Sequence, residues 1–132
     1  MKFYEGWAEP MDVGQGTANA LYQQAVSGTF RMERGVAERC AAVYTRLVDT
    51  CVDQQITNSK RLQEVSGFGG FNSAQELQGK FADKGGSTTD ALKGIKEAAL
   101  RMAAAYLHAG GAFEEADAMN SRALTVAGEA VE

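Results

Sequence analysis

Residues 33–65, ERGVAERCAAVYTRLVDTCVDQQITNSKRLQEV, decide the fold. Within them Val36, Cys40, Val43, Leu47, Cys51, Gln54, Asn58, Leu62 and Val65 recur in steps of three and four, the period of one face of an α-helix. A second stripe, Tyr44, Val48, Val52 and Ile56, runs beside the first. Together they widen the apolar face and predict packing against more than one neighbour. A helix from Glu33 to Val65 is about 50 Å long at 1.5 Å per residue. That is too long for a compact globule, so other helices must lie along it.

Working outward, the only proline is Pro10, and alanine-rich stretches dominate the second half of the chain, both of which favour helices. Ala18, Leu21, Tyr22, Ala25 and Val26 predict a short helix over Thr17–Ser27, stopped by Gly28. On the other side, Ser66-Gly67-Phe68-Gly69-Gly70-Phe71-Asn72 breaks the long helix, and its two aromatics need a surface to rest on. Ser73 and Glu76 have capping-box spacing and predict a shorter helix whose apolar residues are Ala74, Leu77 and Phe81, ending near Lys84-Gly85-Gly86. Ser87 and Asp90 repeat that spacing. The helix they open carries a seam of Leu92, Ile95, Ala99, Met102, Tyr106 and Ala109, continued by Phe113, Ala116 and Met119. The small residues of this seam favour close helix contact. Gly110-Gly111 interrupts it at about 1 kcal/mol per glycine relative to alanine, so the segment beyond is expected to fray or to be ordered by a partner.

The expected fold is all-α: a long antiparallel helical hairpin with additional short helices, bundle-like and completed by dimerisation. One helical domain spans 1–132, and residues 1–16, with Phe3, Tyr4 and Trp7 among glycines and acids, read as a flexible N-terminal arm or a strap along the hairpin.

Charge and composition remove several function classes. The net charge is −4 and no run of Lys or Arg is present, which argues against a nucleic-acid surface. No stretch reaches the ~20 apolar residues of a transmembrane helix, and the N-terminus has no charged region followed by an apolar run. Cys40 and Cys51, about 16 Å apart on one helix, cannot bridge each other and read as small buried apolar residues. The single histidine, His108, has Ala105 rather than Glu three residues before it, so the Glu-x-x-His ligand pairs of di-iron helical enzymes are missing. It falls off the seam and reads as solvated or packed at the surface. Gly67-Phe68-Gly69-Gly70 lacks a following Lys-Ser/Thr and follows a helix rather than a strand, unlike a phosphate loop. Lys93, Glu97 and Arg101 lie four apart and read as a solvated, ion-paired face. No enzyme, cofactor or metal is expected.

Several elements match in order. Gly28-Thr29-Phe30-Arg31-Met32 leads into the long helix, and Val65-Ser66-Gly67-Phe68-Gly69 followed by Ser73-Ala74-Gln75-Glu76-Leu77 marks the turn. Lys80-Phe81-Ala82-Asp83-Lys84 and Ala109-Gly110-Gly111-Ala112-Phe113-Glu114-Glu115-Ala116-Asp117 follow. With these, Thr29 through Asp117 resembles small actinobacterial helical proteins allied to the WXG-type substrates of type VII secretion. The resemblance implies a helical hairpin exported already folded and usually paired, without a cleaved signal, by a membrane ATPase-driven machine. That family's export signal is an aromatic followed four residues later by an acid, normally Tyr-x-x-x-Asp or Tyr-x-x-x-Glu. Phe113 and Asp117 match its spacing, with Phe in place of Tyr and the phenolic hydroxyl lost. Residues four apart share a helix face, so the pair makes a compact knob for a receptor pocket; the plainer reading is that Phe113 continues the core seam beside a solvated Asp117. Trp-x-Gly between the helices is replaced here by Phe68-Gly69-Gly70-Phe71, which either engages a partner or buries its own aromatics.

The expected function is therefore binding: an exported type VII-like substrate or effector, made in the cytoplasm and secreted or associated with the envelope. The alternatives are a cytosolic targeting partner of a larger secreted protein and a structural homo-oligomer. The expected partners are a second copy or another helical protein, and the type VII secretion ATPase.

Overall fold

The computed structural model describes residues 12–64 and 66–131. Among them no strand occurs, and four helices pack together. Helix α1 is Gln15–Ser27. Helix α2 comprises Arg34–Leu47, a π-helical turn Val48–Val52, and Asp53–Gln63. Helix α3 is Asn72–Ala109 and helix α4 is Phe113–Val131. At 38 residues α3 is about 57 Å long, and α1, α2 and α4 each pack on it.

Local chemistry sets the ends of α1. Asp12 accepts the N–H groups of Gly14 (2.9 Å) and Gly16 (3.4 Å) just before the helix. Those backbone donors, Gly14 foremost, hold its carboxyl below the usual aspartate range. The lowered pKa means this support for the first turn is present above the unfolded value and fades as pH falls through the folded one. At the other end Gly28 takes φ 84°, and the N–H groups of Thr29 and Phe30 return to the Gln24 carbonyl. Of the expected arm, residues 1–11 lie outside the described residues, while Gln15 and Gly16 form the first turn of α1.

Helix α2 stops at Gln63, and Val65 lies outside the described residues. Its contacts with α3 step along the two helices in opposite directions: Ala37 meets Gly110, Asp53 meets Lys96, Ser59 meets Thr89 and Leu62 meets Gly85. The π turn keeps this contact line straight. In an α-helix each four-residue step overshoots a full turn by about 40°, so Tyr44, Val48, Val52 and Ile56 would spiral off the interface. A wider turn at Val48–Val52 takes part of that drift back, and Val48, Val52 and Ile56 are all buried.

Two expectations about α3 and α4 are corrected. The break expected at Gly85-Gly86 does not occur, and Ser73 and Glu76 form no capping box: Phe71 is the N-cap residue, without a side-chain cap hydrogen bond, and the helix runs unbroken from Asn72. Gly85 serves approach rather than termination. A Cβ there would lie 2.7 Å from Leu62 Cβ and 2.9 Å from the Ser59 carbonyl oxygen, so glycine is what lets the helices close. Beyond Gly110-Gly111 the chain does not fray. Gly111 takes φ 81° and the Ala112 N–H returns to the Leu107 carbonyl, 2.9 Å. Helix α4 then folds back on α3, burying Ala116, Ala123 and Val126, with Glu114 and Glu115 in its first turn where the helix dipole favours acids.

The core is built of alanine. Along α3, Ala98, Ala99, Leu100, Ala103, Ala104 and Ala105 are all buried, so this part of the helix is enclosed on every side. Leu100 and Val48 are the largest fully buried side chains among the described residues. Further out, Ser59 and Thr89 are buried with their hydroxyl oxygens 2.6 Å apart, and each also sits 2.8 Å from a carbonyl of its own helix, Ile56 or Gly85. Removing one hydroxyl takes away the inter-helix bond and leaves the other with its own helix's carbonyl alone, so Ser59→Ala is expected to cost about 1 kcal/mol in a denaturant titration. The double change Ser59→Ala with Thr89→Val should cost less than the sum of its single changes. Ion pairs tie the helices at the surface: Lys96 to Asp53 at 2.8 Å, Arg122 to Asp49 at 3.4 Å and Arg34 to Glu115 at 3.6 Å.

The fold is asymmetric along α3. Helix α1 joins at the level of Ala98, which faces Gly14, and α4 reaches back to the level of Lys93, where Glu129 and Val126 line a shared groove. Past those levels, among the described residues, α3 is accompanied only by the Asp53–Gln63 segment of α2. The result is a four-helix base with a two-helix arm.

Candidate interaction surfaces

The arm ends in the glycine-aromatic turn. Gly67 and Gly69 take φ 85° and 94°, conformations that strain a side-chain-bearing residue. Phe68 lays its ring against Phe81 of α3, centroids 5.8 Å apart at 62°, and is half-buried. Phe71 finds no such support and is 81 % exposed. Leu62, Leu77 and Phe81 are also exposed along the arm. The expected surface for the loop aromatics thus exists for Phe68 and not for Phe71. Leu77 and Phe81, expected as apolar residues of a short helix, stand exposed on the arm, where among the described residues only α2 accompanies α3.

At the opposite end lie Phe113 and Asp117. Both are exposed, Phe113 at 55 %, on the first turns of α4. The Phe113 ring sits edge-on to His108, centroids 4.7 Å apart, and His108 sits edge-on to Tyr22 of α1 at 5.3 Å. His108 is thus half-buried and packed at the surface, with its Nδ1 buried and without a hydrogen-bond partner. A shallow groove of about 420 Å³ opens beside this row, lined by Val26, Phe30, Arg31, Met32, His108 and Phe113 among others. Met32 is fixed there by its N–H bond to the Ala109 carbonyl, 3.0 Å.

Of the seam on α3, Ala99 and Ala109 are buried, whereas Leu92, Ile95, Met102 and Tyr106 are half-buried. Tyr106 stacks on Tyr44 (5.8 Å, 21°) and meets the edge of Phe30 (5.8 Å, 76°). Burial, reinforced by the neighbouring Tyr44, raises its phenol pKa above the usual tyrosine value. Glu97 and Arg101 form the expected pair at 2.9 Å, half-buried rather than solvated.

On α2 the expected assignment of faces is revised. The fold buries Ala37, Ala41, Val48, Val52 and Ile56, while Val43 and Leu47 of the longer stripe stand 59 % and 42 % exposed. Cys51, expected to be buried, is exposed, and Cys40 is half-buried. The reason is size: Ala37 and Ala41 let α2 approach Gly110 and Ala103, which valine and leucine at those positions would prevent.

Among the described residues no cluster of three His, Cys, Asp or Glu side chains is placed to hold a metal ion, and no described helix is long and apolar enough to cross a membrane. No family model, curated protein or solved structure matches the chain.

Proposed function

We propose that this is a non-enzymatic binding protein, exported as a type VII-like substrate and acting through helix–helix contact. The observation that carries the reading is the pair at the start of α4. Phe113 and Asp117 stand exposed, one turn apart, on a helix that follows the α2–α3 pair after a tight turn. In this reading α2, the glycine-aromatic turn and α3 form the hairpin, and the base supplies the surface that the export machine reads. Phe113 is held against His108 while leaving more than half its surface free, so a receptor pocket takes the ring without the helix having to unfold. Asp117 supplies the charge that orients the knob.

The test is fractionation of cells, with mass spectrometry of the medium, for the native protein and for the double variant Phe113→Ala, Asp117→Ala. Both side chains are exposed, so the variant should keep its helicity and its intracellular abundance. The expected result is native protein outside the cell with an uncleaved N-terminus and at least about tenfold less of the variant there. Native protein retained inside while the machine exports other substrates would overturn the reading and leave the targeting-partner or structural role.

A further inference from the structure

We infer that the groove beside Phe113 receives a segment of the partner that reads α4, and that this segment carries an acidic side chain next to a bulky apolar one. The inference rests on the proposed reading in taking Phe113 as the point of contact, and adds what the partner brings to it.

The groove is assembled where several parts of the chain meet at the end of the base. The end of α1 supplies Val26, the connector to α2 supplies Phe30, Arg31 and Met32, α4 supplies Phe113, and the last turn of α3 completes it. Its walls are held from within the fold. Phe30 rests on the ring of Tyr106, the Met32 N–H is bonded to the Ala109 carbonyl, and Phe113 lies against His108. A site formed in advance loses little of its binding energy to ordering. Val26 and Phe113 are both more than half exposed, and Phe30 and Met32 are half-buried. Single exposed apolar side chains are ordinary, but four around one hollow mark a contact surface, and the flexible thioether of Met32 adapts to the shape of what enters. The groove is shallow, about 420 Å³. A small-molecule pocket encloses most of its ligand, whereas this one suits a length of chain that keeps one side in water.

Charge selects what that chain carries. Arg31 is exposed, lines the groove, and makes no ion pair or hydrogen bond with another described residue. No Asp or Glu lines the groove with it. Its guanidinium lies over Gly28, where an added Cβ would sit 3.5 Å from Nη2. That is the C-terminal end of α1, whose partial negative charge of about half an elementary charge steadies the guanidinium without neutralising it. A carboxylate matches the guanidinium in charge and accepts its fork of two N–H groups. Asp117, one turn along α4 from Phe113, asks for a base from the same partner. An acid for Arg31, an apolar side chain for the hollow and a base for Asp117 together fix the direction in which the partner lies, which is where surface charges act most strongly.

An NMR titration of the full chain with the peptide acetyl-Leu-Asp-Leu-amide tests this. Amide signals of residues 25–32 and 108–113 should shift and saturate, with a dissociation constant on the order of 1 mM for so short a peptide. Acetyl-Leu-Asn-Leu-amide, of the same shape without the charge, should bind at least about fivefold more weakly, and Arg31→Gln should weaken the acidic peptide by the same factor. The Arg31→Gln variant should no longer tell the two peptides apart. Arg39→Gln removes an exposed arginine of α2 that does not line the groove and should bind like the native protein. Both arginines are exposed, so helicity should be unchanged in either variant. The inference is overturned by the absence of saturable shifts up to about 20 mM peptide, by equal binding of the two peptides, or by an Arg31→Gln variant that binds as well as native. Peptide binding and export are read separately. A protein that binds the acidic peptide but stays inside the cell loses the export reading and keeps the groove; one that is exported and binds neither peptide loses the groove alone.

Discussion

Gly85→Leu is expected to part the arm while leaving the base folded. A Cβ at this position meets Leu62 Cβ at 2.7 Å, the Ser59 carbonyl oxygen at 2.9 Å and the Gln63 nitrogen at 3.0 Å. Two of these are backbone atoms and cannot rotate away, so α2 must move as a whole. Leucine is a strong helix former, so α3 itself gains rather than loses propensity, and the loss belongs to the contact. Overpacking of this severity costs about 3 kcal/mol, which two helices without further neighbours among the described residues cannot absorb. Hydrogen exchange should then show amide protection in Asp53–Gln63 and in residues 73–90 reduced by about two orders of magnitude. Residues 98–107 should keep theirs. Loss spread evenly over the chain would mean that arm and base unfold as one unit. The matched control is Gly79→Ala, where nothing lies within 4 Å; it should stabilise the arm by about 0.5–1 kcal/mol through helix propensity alone.

The second large effect is expected at Leu100. In a core made of alanines, one large aliphatic side chain with no exposed surface accounts for much of the apolar area that can be lost at a single site. It packs with Val48 of α2 and with Ala123 and Val126 of α4, holding three helices at once. Leu100→Ala should cost about 3 kcal/mol, since the helices around it relax only partly into the space that is left. For a chain of this length that is a fall in melting temperature of about 10 °C. Leu124→Ala, 63 % exposed on α4, should change stability by less than about 0.5 kcal/mol. Equal losses at the two positions would contradict the packing described.

The helices themselves were legible because their periodicity is local. Steps of three and four mark α1, α2 and most of α3, and Gly28 and the Ser66–Asn72 turn end helices where glycine must supply a left-handed conformation. What was not legible depends on the facing surface. Gly85-Gly86 and Gly110-Gly111 look alike as dipeptides, yet the first lies within a helix and the second makes a turn. Both pairs meet α2, Gly85 at Leu62 and Ser59 and Gly110 at Ala37, and what separates them is Gly111, which takes φ 81° while Gly85 and Gly86 keep helical backbone. The two stripes of α2 posed the same problem. The outer one is the longer, but the interface with α3 is settled at its Gly110 end, where Ala37 and Ala41 are small enough to let the helices close. Phe113 and Asp117 were visible as a spacing; their exposure became visible only once Gly111 had turned the chain and carried Phe113 out of line with Tyr106.

Because α3 runs through arm and base without interruption, and Gly85 is wedged against α2 rather than free to bend, the molecule is a lever with its fulcrum in the base. From Ala98 to Asn72 the helix measures about 39 Å, so a tilt of about 10° at the fulcrum sweeps the tip through about 7 Å.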